Sequence, residues 1–156
     1  MKKIIFLAIV SLSLTFGITA QNVLIQDGLY YSDKGKLYSG VYTKYNSTGT
    51  INSTVTIVDG KVNGLVTYYF DSGKVNETGL FADNEKNGEW VRFDEKGNKI
   101  GIASFVHGKK DGTWLIWDFN GTKRFEMHYT LGEKTGKWLM WDEKGNLTTE
   151  KEYTTI

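Results

Sequence analysis

Few residues of this sequence could carry out acid–base or nucleophilic chemistry. The chain contains two histidines, His107 and His128, and no cysteine, which excludes disulfides, thiolate catalysis and cysteine-ligated zinc. Serines and carboxylates are present, but no nucleophile elbow or other catalytic spacing connects them to a histidine. The two histidines therefore indicate solvated strand positions. The sequence predicts a protein that is not an enzyme and that holds no cofactor.

Three aspartates recur beside glycines and raise the question of a calcium site. Asp94, Asp118 and Asp142 each lie three residues before a glycine. A calcium loop needs several oxygen ligands close together, whereas Lys96 and Lys144 lie inside two of these segments and oppose a cation. Asp in the first position and Gly in the fourth is instead typical of a type I turn, where the carboxylate accepts backbone N–H groups. The pattern favours turns, and no metal site is predicted.

Aromatic side chains are the remaining candidates for a binding site. The chain has five Trp, nine Tyr and eight Phe, together with 18 Gly and no Pro, which is typical of a sheet-rich protein with tight turns. Flat aromatic side chains on an exposed sheet face can stack on sugar rings or anchor a protein partner. The candidates for ligand or partner binding are Tyr42, Trp90, Trp114 and Trp138. The alternative is that they pack against neighbouring strands, and both roles are compatible if one indole edge stays exposed.

These candidates recur because the sequence repeats every 24 residues. The phrases "GEWVRFDEKGN", "GTWLIWDFNGT" and "GKWLMWDEKGN" begin at Gly88, Gly112 and Gly136. The opening glycines of the five units are Gly40, Gly64, Gly88, Gly112 and Gly136, and the glycines nine residues later are Gly49, Gly73, Gly97, Gly121 and Gly145. The aromatic residues five positions after each opening glycine are Tyr45, Tyr69, Phe93, Trp117 and Trp141. Five units without an insertion indicate a structural repeat to which all these residues contribute.

Each unit is predicted to be a β-hairpin. The first strand follows the opening glycine, as in "EWVRFD", and the second covers stretches such as Lys99–His107 and Lys123–Leu131. A short return turn follows, written "GKVNG", "NEKNG", "GKKDG" or "GEKTG". Strand periodicity places Trp138 and Trp141 on opposite faces of the sheet. The predicted fold is all-β, an elongated, twisted antiparallel β-meander of 24-residue hairpin repeats with about eleven strands.

The chain is predicted to divide into a signal peptide and one domain. Residues 1–20 read "MKKIIFLAIVSLSLTFGITA", a charged start, an apolar stretch and a small residue at the end, which is the pattern of a secretory signal peptide. Residues 21–39 are interpreted as a divergent N-terminal hairpin cap, and residues 40–156 as the five repeats. No second apolar run is long enough to span a bilayer. The protein is therefore expected to be exported, to the periplasm or the extracellular space.

The charge of the expected mature chain is close to zero. Residues 1–20 contain Lys2, Lys3 and no acid, so their removal changes the formal net charge from +1 to −1. A nearly neutral surface argues against binding to nucleic acid.

The repeat resembles a known family. The pattern "GxWxxWDxxGN", followed by an aromatic-bearing strand and "GKxxG", is similar to the MORN-repeat variant found in bacterial proteins labelled YwqK-like antitoxins. The opening "GLYYSDKGKLYSGVYTKYNSTGTI" resembles the start of that group, and the resemblance covers about Gly28 to Tyr153. It implies an elongated sheet of hairpins that associates with proteins or, in some relatives, with membrane lipids.

Three functional hypotheses follow. The first is an exported, non-enzymatic scaffold that binds another protein at the cell envelope or outside the cell. The second is a module that binds a glycan or a lipid headgroup through the aromatic sheet face. The third, implied by the resemblance, is an antitoxin-like neutraliser of a partner protein. The sequence leaves the partner and the oligomeric state open.

Overall fold

The computed structural model describes residues 22–154, and within this range the protein consists of strands and turns. The predicted signal peptide, residues 1–20, lies outside the described residues. Two short strands, β1 (Leu24–Gln26) and β2 (Leu29–Tyr31), form a separate hairpin. The ten others are β3 (Gly40–Tyr45), β4 (Ile51–Val58), β5 (Lys61–Tyr69), β6 (Val75–Ala82), β7 (Glu85–Phe93), β8 (Lys99–Val106), β9 (Lys109–Trp117), β10 (Lys123–Thr130), β11 (Glu133–Trp141) and β12 (Leu147–Tyr153). No helix in residues 22–154 is long and apolar enough to cross a membrane.

Strands β3 to β12 form one antiparallel sheet in which every strand pairs with its neighbours in sequence. This is the predicted meander, and the all-β fold is confirmed. Residues 22–154 contain twelve strands, in agreement with the expected number of about eleven, and two of them, β1 and β2, come from the N-terminal segment. Because the connections between consecutive strands are short, neighbouring strands must be antiparallel. Because the 24-residue period is even, equivalent side chains of all units lie on the same face of the sheet.

The turns between units are shorter than the sequence indicated. Each consists of two residues with positive φ, the conformation of a type I′ hairpin turn. These pairs are Asp59-Gly60, Asp83-Asn84, His107-Gly108 and Leu131-Gly132. The predicted five-residue return segments were therefore wrong in extent, and His107 lies in a turn rather than before one. The tight turn lets the next strand begin three residues before the opening glycine of its unit.

The opening glycines of units two to five therefore lie within strands, and Gly136 does not end a turn as the sequence suggested. Each lies at a β-bulge between units: Gly79 pairs with Trp90, but the next residue, Leu80, pairs with Asn87, so that Gly88 and its neighbour are extra residues. Gly88 has a φ of 75°, a conformation that costs other residues free energy. The same two-residue shift occurs in β5, β9 and β11. The opening glycine is thus the residue that accommodates the bulge.

The sheet has two distinct faces. We call the face that carries Tyr42, Trp90, Trp114 and Trp138 the aromatic face, and the other one the opposite face. Direct cross-strand pairs define an unbroken row on the opposite face through all ten strands. The row is Thr43, Thr54, Thr67, Thr78, Val91, Ile102, Leu115, Glu126, Leu139 and Glu150. It changes along the sheet from hydroxyl to apolar to partly charged side chains.

The N-terminal hairpin packs at the β3 end of the sheet. The backbone N–H of Tyr30 donates to the Gly60 carbonyl at 2.8 Å, and the N–H of Gly60 donates to the Tyr38 carbonyl at 2.8 Å. The Tyr30 ring contacts that of Tyr42 edge to face, with the centroids 5.6 Å apart. Burial raises the pKa of the Tyr30 hydroxyl, and the nearby Tyr42 and Tyr68 hydroxyls raise it further. The hairpin therefore covers the first part of the aromatic face, as expected of a cap on a repeat array.

Candidate functional site

On the aromatic face, the residues two positions after each opening glycine stack on the aromatic residues seventeen positions after it. The ring centroids are 5.1 Å apart for Phe105–Trp114, 5.3 Å for Trp114–Tyr129, 5.2 Å for Tyr129–Trp138 and 5.0 Å for Trp138–Tyr153. The rings meet edge to face or tilted, which is the favourable geometry for aromatic pairs. The repeated aromatics thus form a ladder that joins one unit to the next.

The indole N–H groups attach this ladder to the backbone. They donate to carbonyls ten residues earlier, at the bulges between units: Trp90 to Leu80 at 3.0 Å, Trp114 to Ser104 at 3.0 Å and Trp138 to His128 at 3.1 Å. Each bulge interrupts the backbone hydrogen bonds between two strands and displaces a carbonyl group. The indole N–H donates a hydrogen bond to that carbonyl, which is thereby satisfied. This explains why Trp, and not Phe, follows the bulge glycine in units three to five.

Lysines lie over the faces of the same rings. The Nζ atom of Lys86 lies 3.7 Å from the Trp90 ring centroid, that of Lys110 4.5 Å from Trp114, and that of Lys134 4.6 Å from Trp138. These are cation–π contacts. Sequence reasoning missed them, although the signal was present, because a lysine recurs two residues before each of the last three opening glycines.

The four predicted binding residues have different environments. Trp90 is only 2% exposed, so it cannot contact a partner directly, and the alternative role of packing against neighbouring strands applies to it. Its indole is enclosed by Phe81, Tyr68 and Lys86. Tyr42, Trp114 and Trp138 are half-buried. Packing between units therefore buries most of the surface of these side chains. A partner-binding surface has to be sought on other parts of the sheet.

The aromatic residues five positions after each opening glycine lie on the opposite face, so Trp138 and Trp141 do face opposite ways. These residues are Tyr45, Tyr69, Phe93, Trp117 and Trp141. The Tyr69 hydroxyl lies 3.4 Å from Thr54 Oγ1, and Lys123 Nζ lies 4.2 Å from the Trp141 ring centroid. They form the outer border of that face, next to the turns within the units.

Exposed apolar side chains are concentrated on the opposite face, in units one to four. Leu65 and Leu80 face each other across β5 and β6 and are 54% and 48% exposed. We define the apolar patch as the exposed Val41, Leu65 and Leu80 together with the half-buried Val91, Ile102 and Leu115. Exposed apolar surface on adjacent strands is typical of interaction sites on soluble proteins. The sequence could not locate the patch, because both faces of the first strands carry apolar residues.

A cleft of about 580 Å³ borders the opposite face at the turns. Its apolar lining comes from Phe70, Phe93, Ile100 and Phe119. Phe70 replaces the Asp or Asn that begins the turn in other units, and Phe119 replaces an acidic or small polar residue. Phe119 is 75% exposed, the largest exposed fraction among the apolar residues described. Two departures from the repeat therefore create one apolar cleft beside the turn of unit three.

The opposite face becomes polar towards the C-terminus. Lys137 Nζ lies 2.7 Å from Glu150 Oε1, and Lys123 Nζ lies 2.7 Å from Glu126 Oε2. The hydrogen bond from Lys137 to Glu150 raises the pKa of the lysine. Charged pairs in units four and five therefore limit the apolar patch to the N-terminal two-thirds of the sheet.

The repeated aspartates form the turns within the units. In unit three, Asp94 Oδ1 accepts the backbone N–H groups of Lys96 at 2.8 Å and Asn98 at 2.9 Å. The Asn98 amide and these N–H groups lower the pKa of Asp94, and Asp142 has a lowered pKa for the same reason. These carboxylate oxygens bind their own turn, as turn chemistry predicts. No cluster of potential metal ligands occurs within residues 22–154.

The two histidines lie apart. His107 lies in an exposed turn, 4.0 Å from Glu85. His128 Nδ1 lies 3.2 Å from Thr113 Oγ1, and its Nε2 atom lies 3.6 Å from Glu126 Oε1. The order hydroxyl, imidazole, carboxylate is that of a hydrolytic triad, but the group lies on an open sheet face and Glu126 is also held by Lys123.

Comparison with known families identifies the repeat. Residues 62–83, 110–130 and 134–154 match the MORN repeat variant. Each matched segment begins two residues before an opening glycine, and the last two begin 24 residues apart. The match confirms the resemblance of these segments to the MORN repeat variant. No curated protein matches the chain. MORN repeats generally serve in association with proteins or membrane lipids.

Proposed function

Because the chain carries MORN repeat variants, we propose that it is an exported, non-enzymatic scaffold that binds a protein partner at the cell envelope or outside the cell. The apolar patch on the opposite face carries this proposal. A sheet of one layer leaves both faces without a covering helix, yet only the opposite face exposes large apolar side chains over several adjacent strands. Burial of such a patch against a partner is favourable by about 25 cal/mol per Å² of apolar surface.

The turn-edge cleft supports a protein as the partner. Protein interfaces combine an apolar core with a few aromatic anchors, and the cleft offers Phe119 next to the half-buried Phe93. Polar groups lie around the cleft: Glu95 accepts a hydrogen bond from Ser72 at 2.7 Å, and Lys96 is exposed. An apolar centre with a polar rim is the arrangement that a partner side chain can enter.

The aromatic face supports the glycan hypothesis less well. Stacking on a sugar ring needs an unobstructed aromatic face, whereas lysines lie over Trp90, Trp114 and Trp138. The N-terminal hairpin also covers Tyr42. An extended glycan would have to displace these groups. The antitoxin-like role is a special case of the proposed function in which binding inhibits the partner.

Capture of a partner by a variant series tests the proposal. The purified protein and its Leu65→Lys/Leu80→Lys variant are immobilised and exposed to envelope and secreted fractions of the producing cell. Lysines in the apolar patch should abolish capture of a reproducible partner, because a buried unpaired charge is unfavourable. Circular dichroism and the urea midpoint establish that the variant is folded.

The matched control is Leu131→Lys/Leu147→Lys, which places the same charges on leucines of similar exposure outside the patch. This control should retain the partner. If the patch variant binds as the unmodified protein does, the proposed surface is wrong. If the Lys110→Glu variant fails to capture the partner instead, the partner binds the aromatic face.

Export is tested separately. The signal-peptide pattern of residues 1–20 motivates it, and cleavage after Ala20 would give a mature chain that begins with Gln21. Mass spectrometry of periplasmic and culture-medium fractions should find this N-terminus, or its cyclised form. Recovery of the uncleaved chain from the cytoplasm alone would contradict export and leave the binding proposal to be judged by the capture experiment.

A further inference from the structure

The aromatic face contains a cavity of about 250 Å³ in unit three, between the rings of the ladder. Its walls include Trp90, Phe105 and Trp114, and Gly101 and Ala103 lie at its base. Pockets for drug-sized ligands commonly measure about 300–1,000 Å³, so this volume suits a smaller ligand with a single ring or a short chain. The cavity opens on the aromatic face, whereas Ile102 and Leu115, which contribute to its lining, belong to the apolar patch, and Arg92 also lines the cleft at the turns.

The cavity exists because unit three departs from the repeat at two positions. Thirteen and fifteen residues after the opening glycine, the other units carry Ser53 and Val55, Glu77 and Gly79, Phe125 and Met127, or Thr149 and Lys151. The space above Gly79 is filled by the Trp90 ring, which lies closer than 3.0 Å to where a Cβ would be. At the equivalent position of unit three, Ala103 carries a Cβ, and both Ala103 and Trp114 line the cavity. Unit three therefore combines two small residues with a space that no ring fills.

The charged side chains around the cavity differ in whether they have a partner. Glu77 and Arg92 are direct cross-strand partners, but the Glu77 carboxylate binds Lys86 Nζ, at 3.0 Å. The Arg92 side chain extends across Gly101, with its Nε atom 4.0 Å from the position that a Cβ of Gly101 would occupy. No carboxylate within residues 22–154 lies in salt-bridge distance of Arg92. An exposed guanidinium thus stands beside an aromatic cavity whose one lining carboxylate already has a partner.

From this geometry we infer that the cavity binds a small organic anion, an aromatic or short aliphatic group bearing one carboxylate. The apolar part would displace water from the rings of Trp114 and Phe105. The carboxylate would accept the N–H groups of Arg92, whose planar fork matches its two oxygens. Apolar burial and a charged hydrogen bond then act on the two ends of one ligand, which is how small sites obtain orientation and specificity.

Titration with phenylacetate tests the inference, with phenylacetamide as a neutral probe of the same shape. In two-dimensional NMR spectra, phenylacetate should shift the indole N–H signals of Trp90 and Trp114 and the amide signals of Gly101 and Ala103, and the shifts should saturate. Phenylacetamide should bind about tenfold more weakly or worse, because the charged hydrogen bond to Arg92 is lost. Equal affinities for the two probes, or shifts that increase linearly without saturation, would overturn the inference.

Two variants locate the site. Arg92→Gln should weaken phenylacetate binding about tenfold while leaving that of phenylacetamide unchanged. Ala103→Leu should fill the cavity and abolish binding of both probes, and Ala103→Val, which introduces the residue of unit one, serves if the leucine variant does not fold. Lys144→Gln removes one positive charge at an exposed turn outside both the cavity and the cleft and should change nothing. If Lys144→Gln weakens binding as much as Arg92→Gln does, binding depends only on the net charge of the protein, and the proposed site is wrong.

Discussion

The indole ring of Trp90 lies directly over Gly79 on the adjacent strand and occupies the space that any side chain there would need. One unit later the equivalent residues are Trp114 and Ala103, and here the strand residue carries a Cβ. The same repeat position is therefore buried in one unit, where Trp90 is 2% exposed, and half-buried in the next, where Trp114 lies. The neighbouring residue differs as well, because Tyr68 lies beside Trp90 whereas the equivalent position next to Trp114 is Arg92.

The first prediction concerns this contact. Gly79→Ala should lower the free energy of unfolding by about 1–3 kcal/mol, the usual cost of overpacking a buried site. Gly101→Ala is the matched control: it is also a strand glycine without positive φ, and the nearest atom to its added Cβ is Arg92 Cβ, at 3.5 Å. This variant should be neutral or stabilised by up to about 1 kcal/mol through the unfolded chain. Urea unfolding measures both, and equal losses would contradict the contact.

The second prediction is a stabilising substitution in a turn between units. Leu131 has a φ of 48°, in the left-handed region that a branched apolar residue tolerates poorly, and it is 55% exposed. Leu131→Asn should raise the free energy of unfolding by about 0.5–1 kcal/mol, because Asn accepts this conformation at lower cost. Asp111 Oδ1 binds the backbone N–H of residue 131, and the substitution preserves that hydrogen bond.

Leu147→Asn is the control for the turn substitution. Leu147 is 51% exposed but lies in β12 without positive φ, so the same change should destabilise the protein. Thermal unfolding of the two variants compares them directly. A lower midpoint for both would mean that the strain at Leu131 is not relieved by Asn.

The third prediction concerns stability at low pH. The pKa of Asp94 is lowered by its turn hydrogen bonds, so the folded state favours the carboxylate more than the unfolded state does. The resulting stabilisation is complete above the unfolded pKa of about 3.9 and disappears as the pH falls through the lower folded value. Asp94→Asn removes this titration, and the urea midpoint between pH 5 and pH 2 should fall less steeply than in the unmodified protein.

Asp33→Asn is the control for the pH experiment, because Asp33 is exposed and its side chain makes no hydrogen bond within residues 22–154. Its acid profile should match that of the unmodified protein. An unchanged slope in Asp94→Asn would show that the turn does not distinguish the charged form from the neutral one.

The fold could be predicted from the sequence because its signals are local. Glycine spacing, the Asp-to-Gly turns and strand alternation each act within one hairpin, and the even period extends them to a whole sheet. The return turns were predicted at the wrong length because the sequence does not show that His107 and Leu131 adopt positive φ. The bulge at each opening glycine was missed for a related reason, since a glycine after a turn signal indicates a turn as readily as it does a bulge.

The candidate site could be predicted only in part. Tryptophans at a fixed period indicated one face correctly, but burial depends on the residue across the strand, as Gly79 shows for Trp90. The apolar patch arises from single residues in different units, such as Leu65 and Leu80, that become neighbours only through strand register. Departures from a repeat are therefore the positions where sequence alone indicates a special surface. Phe70, Phe119 and Gly101 are three such positions here.

The fourth prediction follows from the arrangement of the ladder. In a repeat array each unit is stabilised by its neighbours, so the position of a defect determines which part unfolds. Trp90→Ala removes a buried indole from the middle of the sheet and should cost about 3–5 kcal/mol, with loss of hydrogen-exchange protection in β6 to β8. Trp138→Ala affects a half-buried ring in the last unit, so it should cost less and expose β11 and β12 while β3 to β7 remain protected. Uniform loss of protection in both variants would mean that the sheet unfolds as one unit.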